Sequence, residues 1–398
     1  MNYSVVLGAT SVKWLDWSAG AMFGPKTKLF KIFGFEVKLD ASWFFLALLV
    51  AWSLAQGYFP ALYAGLPKQT YWSMGILGAI GIFFSIIIHE LSHSLVARRY
   101  DLEIKGITLF IFGGVAEMAS EPPNAKSEFM MAIAGPIASF VLSAGFYGLF
   151  LAIESLGATQ ALLGVVHYLA IVNLLLAVFN LIPAFPLDGG RMLRAGLWQW
   201  TGNLTAATRT ASQAGTLFGI MLMMLGVVSI ATGNFIGGLW WILIGLFVQS
   251  AATSHYVQLQ VRQVLEGEKV SRFMSSDPVT IDHKLSIRHL IDDFVYVYHH
   301  KMFPVLEDDR LIGAVSTRAI KEVSQEQWDE MSVRQIMHPL SKANSVDIDV
   351  DAMKALEMMQ KSGNSRLLVT RAGKLAGLIA LKDLMALFAL KMELEKGN

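Results

Sequence analysis

A chain of 398 residues in which 54% of side chains are hydrophobic and 16% charged is too apolar for an ordinary soluble protein and long enough for two or three domains. Its formal net charge of +1, with no Lys/Arg cluster interleaved with aromatics, argues against nucleic acid as a partner. The absence of cysteine excludes disulfides and thiolate metal sites and leaves His, Asp and Glu as possible ligands.

Residues 1–40 are expected to form a cytoplasmic arm. Lys13, Asp16, Lys26, Lys28 and Lys31 interrupt any apolar core of a signal peptide, and residues 1–20 suggest no element. Leu29 to Leu39 is a candidate membrane-associated hairpin. Six apolar runs then follow, roughly 42–56, 73–97, 129–153, 161–183, 211–231 and 235–253, measured against about 20 residues per span. Lys26, Lys28, Lys31 and Lys38 precede the first run. Arg98, Arg99, Lys105 and Lys126 fall in 98–126, and Arg191, Arg194 and Arg209 in 184–210. The opposite connections hold only Lys68, so the N-terminus and the C-terminal region are both expected in the cytoplasm.

The second run ends in His89-Glu90-Leu91-Ser92-His93. Spacing of i, i+4 puts both imidazoles on one helical face, suited to a zinc ion, with Glu90 beside them as a general base. Tyr71 to Ile88 carries no charge, so a lone Glu between two histidines at membrane depth is costly unless it serves a metal. Counting about 1.5 Å per residue, His93 and His89 lie roughly 7 and 14 Å inside Arg98, which puts the site in the cytoplasmic half of the bilayer.

Gly106 to Met118, β-branched, aromatic and glycine-punctuated, predicts a strand or hairpin. At membrane depth such a strand must be buried in protein or line a cavity, which puts it beside the site. The third run contains Ala134-Gly135-Pro136-Ile137-Ala138-Ser139, small residues that let helices approach closely. The fourth carries Asn173 and Asn180 on one face, then two prolines that deliver Asp188 into an expected Gly-rich turn. A catalytic zinc needs a third protein ligand. Of Glu117, Glu154 and Asp188, the last is preferred, being held by that turn on the same side of the membrane as His93. Asn173, Asn180, Gly113 and Gly114 are candidates for orienting substrate or stabilising an oxyanion, with hydrogen bonding between helices the equal alternative for the two asparagines. His167 is expected to pack, and His299 and His300 to be solvated.

After Ser254 the chain becomes mixed in character and repeats itself: Val270-Ser271-Arg272-Phe273-Met274 is echoed by Val333-Arg334-Gln335-Ile336-Met337, and Arg310 to Val315 by Lys374 to Ile379. This predicts a soluble α/β pair. The expected organisation is an arm 1–40, a membrane domain 41–254, a linker 255–269, and two halves, 270–323 and 331–391. The fold class is thus a polytopic α-helical membrane protein of about six transmembrane helices with membrane-associated β-strands, plus a soluble α/β pair.

The HExxH in an apolar helix, the Phe112-Gly113-Gly114-Val115-Ala116 strand, Ala134-Gly135-Pro136 and the Asn180 to Arg191 segment together resemble the site-2 protease family of intramembrane zinc metalloproteases, over about residues 29–250. The resemblance implies cleavage of a transmembrane segment of a single-pass protein, such as an anti-sigma factor or membrane-tethered regulator. It also implies His89, His93 and Asp188 as zinc ligands, Glu90 as catalytic acid/base, and a strand at 106–117 that pairs with unwound substrate. Ser139 departs from the pattern, which commonly continues to Asn. The soluble repeat resembles a tandem pair of CBS domains, which implies an adenine nucleotide or a homodimer contact. Gly313 is followed by Ser316 and Gly377 by Asp383, the two candidate nucleotide contacts. The alternative from another class is a CBS-regulated metal-ion transporter or channel. Against it stands the lack of a second HExxH-like segment or a mirrored Asp-Gly-Gly turn. A catalytically silent adaptor is the third reading.

Overall fold

The computed structural model describes residues 27–102, 104–110, 113–118 and 121–395. The expectations for residues 1–26, and for Ile111 and Phe112 of the second strand element, lie outside them. Contacts divide the chain into two compact units, Met1–Val257 and Gln258–Asn398.

The N-terminal unit begins with strands β1 (Thr27–Ile32) and β2 (Phe35–Leu39). It continues through α1 (Ala41–Leu62), α2 (Lys68–Arg98), β3 (Ile104–Phe110), β4 (Gly113–Met118), α3 (Ala125–Ser155), α4 (Gln160–Asn180), α5 (Asp188–Thr201), α6 (Leu204–Ala231) and α7 (Phe235–Leu265). Six of these helices, all but α5, are long and apolar enough to cross a membrane, matching the six apolar runs in number and order. The first is longer than its run: α1 passes through a π-helical turn at Leu54–Tyr58, next to Pro60, which has no N–H to give a regular helix.

The two strand candidates, expected separately, form one sheet in the order β1-β2-β3-β4. β2 runs parallel to β3 with Val37 opposite Ile107 and Leu39 opposite Leu109; the other pairings are antiparallel. Its apolar face, Phe35, Val37, Leu39, Ile107 and Leu109, packs on Ile87 and Leu91 of α2. The sheet therefore lies on the helix that carries the HExxH. Asp40 joins the pieces: its N–H donates to the Leu109 carbonyl at 2.9 Å, while its carboxylate caps α1 by accepting from the Ser42 N–H at 2.9 Å.

Helices α6 and α7 meet along glycines. A Cβ at Gly219 would lie 2.7 Å from the Gly245 carbonyl oxygen, and one at Gly226 2.6 Å from that of Gly238. Backbone packs on backbone there, as in small-residue membrane interfaces.

In the C-terminal unit the internal repeat is structural. β5 (Ile281–Asp282), β6 (Met302–Glu307), β7 (Arg310–Ser316) and β8 (His338–Pro339) form one sheet in sequence order; β9 (Ser345–Asp347), β10 (Arg366–Arg371) and β11 (Lys374–Ala380) form a second in the order β11-β10-β9. In each half a parallel pair precedes an antiparallel hairpin. Both hairpins turn through two positive-φ residues, Asp308-Asp309 and Ala372-Gly373, the geometry that matches strand twist. The helix Ala352–Ser362, capped by Asp351, buries Ala352, Ala355, Leu356 and Met359, the 3–4 spacing of an amphipathic helix.

Of the stretch 255–269 expected as a linker, the part up to Leu265 is helical, the end of α7. Val261, Val264 and Leu265 belong to the core of the second CBS-like half with Leu356, Leu367 and Ile379. Apolar residues at this spacing give the helix a reason to persist once the membrane run ends.

Candidate metal centre

α2 presents His89 and His93 on one face, both buried, with ring centroids 4.8 Å apart. Asp188 meets them: its Oδ2 lies 3.1 Å from His89 Nε2 and 3.2 Å from His93 Nε2. Asp188 is not in the Gly-rich turn expected for it; it opens helix α5. The irregular stretch is 181–187, set by Pro183 and Pro186, and Gly189 and Gly190 are already helical. They are glycines for want of space. A Cβ at 189 would run into the carbonyls of Leu181 and Ile182, and one at 190 into the backbone of Ala184 and Phe185. Folding the preceding loop tightly onto the first turn of α5 brings Asp188 to the histidines, 99 residues away in sequence.

The other ring nitrogens are held by α3. His93 Nδ1 is 2.7 Å from the Met131 carbonyl oxygen and His89 Nδ1 is 2.9 Å from Ser139 Oγ. A carbonyl only accepts, so the His93 proton sits on Nδ1, and the Nε2 of the neutral ring carries a lone pair. That lone pair faces a carboxylate oxygen, an arrangement suited to a cation between the two. Gly135, between Met131 and Ser139 on α3, completes the setting: a Cβ there would overlap His93 Nε2 and lie 2.6 Å from His89 Nε2.

Two imidazole nitrogens and one carboxylate oxygen, with all ligand atoms within 4.8 Å of one another, fit zinc. Tetrahedral coordination at about 2.1 Å separates ligand atoms by about 3.4 Å, close to the separations found here. The two Nδ1 partners are the outer contacts that metal-bound histidines characteristically make.

Glu90 is half-buried and sits against β4, since a Cβ at Gly114 would lie 2.6 Å from its Cγ and 3.1 Å from its Cδ. Gly113 has open space around it, with nothing within 4 Å of a Cβ there. The two asparagines diverge. Asn173 is fully buried, and its Nδ2 donates to Ser85 Oγ at 2.9 Å and to the Leu169 carbonyl at 2.8 Å. Both amide hydrogens are thereby committed in this structure, which ties α4 to α2 as the helix–helix reading of this residue expects. Asn180, half-buried, donates to the Leu176 carbonyl at 3.0 Å. His167 packs on Phe150, with centroids 4.9 Å apart, and His299 and His300 are exposed. Ser316 Oγ accepts from the Ala319 N–H at 3.3 Å, and Asp383 Oδ2 from the Ala380 N–H at 3.1 Å, so both candidate nucleotide contacts cap local backbone.

The sequence gives no role to Met131, marks Gly135 only as a small residue for helix approach and Ser139 only as a departure from pattern. The available signal was their spacing of four, which puts all three on one face of α3.

A membrane-spanning helical unit in which the two histidines of an HExxH meet an aspartate from a later helix, joined to a paired α/β unit, defines a multi-pass membrane zinc metalloprotease. The model for peptidase family M50 matches residues 77–162 and 152–226, and the CBS domain model matches 270–326 and 333–390. Rip3 of Mycobacterium tuberculosis, named as a zinc metalloprotease, is 33% identical over 359 residues, covering 90% of this chain and 91% of its own. Zinc metalloprotease MJ0392 of Methanocaldococcus jannaschii is 31% identical over 378 residues, covering 92% and 98%. A Synechocystis protein named as zinc metalloprotease sll0528 is 33% identical over 371 residues, covering 92% and 96%. The chain belongs to peptidase family M50, the site-2 protease type of zinc metalloprotease, and carries tandem CBS domains. This sets aside the transporter and adaptor readings.

Proposed function

We propose that this enzyme cleaves within transmembrane segments of single-pass membrane proteins, an anti-sigma factor or membrane-tethered regulator being the class of substrate, with His89, His93 and Asp188 holding the zinc and Glu90 as acid/base. The observation that carries the site is the commitment of the His93 Nδ1 proton to the Met131 carbonyl, which leaves the His93 Nε2 free to bind on the side of Asp188, next to the Nε2 of His89.

Zinc, when bound, supplies Lewis acidity toward a water and the scissile carbonyl. Met131 and Ser139 keep the two rings turned so that Nε2 faces inward. Glu90 accepts a proton from the attacking water on its carboxylate and returns it to the leaving amide nitrogen. Gly114, lying against that carboxyl, brings the β4 backbone within reach of the same peptide. β4 ends the sheet, so an unwound substrate segment can add to it as a further strand. Asn180 is the remaining side-chain candidate for the oxyanion.

The Lys/Arg asymmetry supports a cytoplasmic N-terminus and CBS pair. We assign that pair a regulatory role, with dimerisation and adenine nucleotide binding around Ser316 and Asp383 as its means. The test compares wild type with Glu90→Gln in proteoliposomes containing a single-pass substrate. Cleavage should fall by about 10²–10⁴-fold with zinc content unchanged. Equal cleavage by the two would overturn the assignment of Glu90.

A further inference from the structure

The metal group draws on three helices: α2 carries the histidines, α3 their Nδ1 partners, and α5 the aspartate. Its dimensions therefore depend on how firmly α5 is fixed against α3. Arg194, six residues after Asp188 on α5, is fully buried. Its Nε donates to Glu128 Oε1 at 2.6 Å, and its Nη2 lies 2.5 Å from the same oxygen and 3.3 Å from Glu121 Oε2. Its Nη1 lies 3.3 Å from Nε2 of His255 on α7, whose ring stacks on Phe185 at 4.5 Å. Phe185 belongs to the loop that delivers Asp188.

Glu128, also fully buried, stands in the first turn of α3, three residues before Met131. One end of the ion pair is thus a helical turn from the carbonyl that orients His93, and the other shares a short helix with Asp188. A buried ion pair is a poor source of stability, since apolar residues of similar volume commonly do as well. What it supplies is a directional, fixed-length link between two backbones.

We infer that Glu128 and Arg194 are positioning residues for the metal group, clamping α5 to α3 so that Asp188 stands at binding distance from His89 and His93. The inference rests on those three residues being the ligands.

The experiment uses the full chain in detergent and reads zinc affinity by chelator competition and the visible spectrum of the Co²⁺-loaded protein, which reports ligand geometry. Arg194→Met should weaken zinc binding by about 10–100-fold, the range for outer-shell changes, and alter the Co²⁺ bands, with Arg194→Lys intermediate. Leu222→Ala, at a buried position of α6, provides a variant destabilised elsewhere and should leave affinity and spectrum unchanged. If Arg194→Met fails to fold, Glu128→Gln, which keeps the side-chain shape, should show the same spectral change. Wild-type affinity and spectrum in the folded clamp variants, or equal losses in Leu222→Ala, would overturn the clamp. Failure of the ligand assignment looks different: His89→Ala would then bind zinc as wild type does.

Discussion

Gly135 holds a hydrogen where any other residue would place a carbon against the Nε2 atoms of both His89 and His93. Gly135→Ala ought to favour helix α3 slightly, since Ala is the better helix former, while spoiling the metal group. The expected result is at least a tenfold loss of zinc affinity, with the metal-free protein melting at or above the wild-type temperature; retained affinity would show that the rings have room to shift. Ser139→Ala removes only the His89 Nδ1 contact and should weaken zinc by about tenfold. At this scale the sequence reveals what is built from side chains in a fixed local pattern, such as His89, Glu90 and His93 within five consecutive residues. It conceals the Met131 carbonyl, because every residue has one and only the fold decides which carbonyl meets a ring nitrogen.

Elements were legible where the signal is local. The six apolar helices and the strand candidates at 29–39 and 106–118 follow from run length and β-branched content. The parallel pairing of β2 with β3 does not, because α1 and α2 intervene and nothing in either strand names the other. Helix α5 was hidden for a different reason: Asp-Gly-Gly after two prolines has turn composition, and its helical conformation comes from packing against the loop before it. The glycine seam between α6 and α7 gives a direct test. Gly245→Leu would push a side chain into the Gly219 carbonyl and a neighbouring methionine, Met223, and should lower the detergent melting temperature by several degrees. The same substitution at Gly196, an exposed position of α5 where a Cβ would meet nothing, should leave it unchanged or slightly raised, leucine being the better helix former.

Over the whole molecule the two units answer to different conditions. In the CBS pair, Glu307 on β6 is held below the usual carboxylate range, first by its hydrogen bond from Arg334 and then by the charge of that guanidinium and of His283 and Lys284. A carboxyl lowered on folding stabilises above its unfolded pKa, and the contribution is lost as pH falls through the folded value. Glu307→Gln should therefore be less resistant than wild type to denaturant near neutral pH, and the difference should shrink as the pH is taken down through and below the usual carboxylate range. A difference that persists in acid would mean that the ion pair is not its source. The change in composition after Ser254 and the repeated segments announce the tandem CBS domains; they do not announce that helix α7 runs on to Leu265, because its apolar period simply continues the membrane run.

The seam between α6 and α7 also bears on the order of assembly. Its partners, Gly219 with Gly245 and Gly226 with Gly238, lie within one helical hairpin, whereas His89 and Asp188 are separated by 99 residues. Short loops close at little entropic cost and long ones late. During synthesis α6 and α7 can join as soon as both have entered the bilayer, with no help from the rest of the chain. The metal group must wait until α2, α3 and α5 have gathered. All three of these helices precede α6 in the chain, so the parts of the metal group are made before the hairpin, and the glycine seam is the last of these contacts that the emerging chain can make, although it closes the shorter loop.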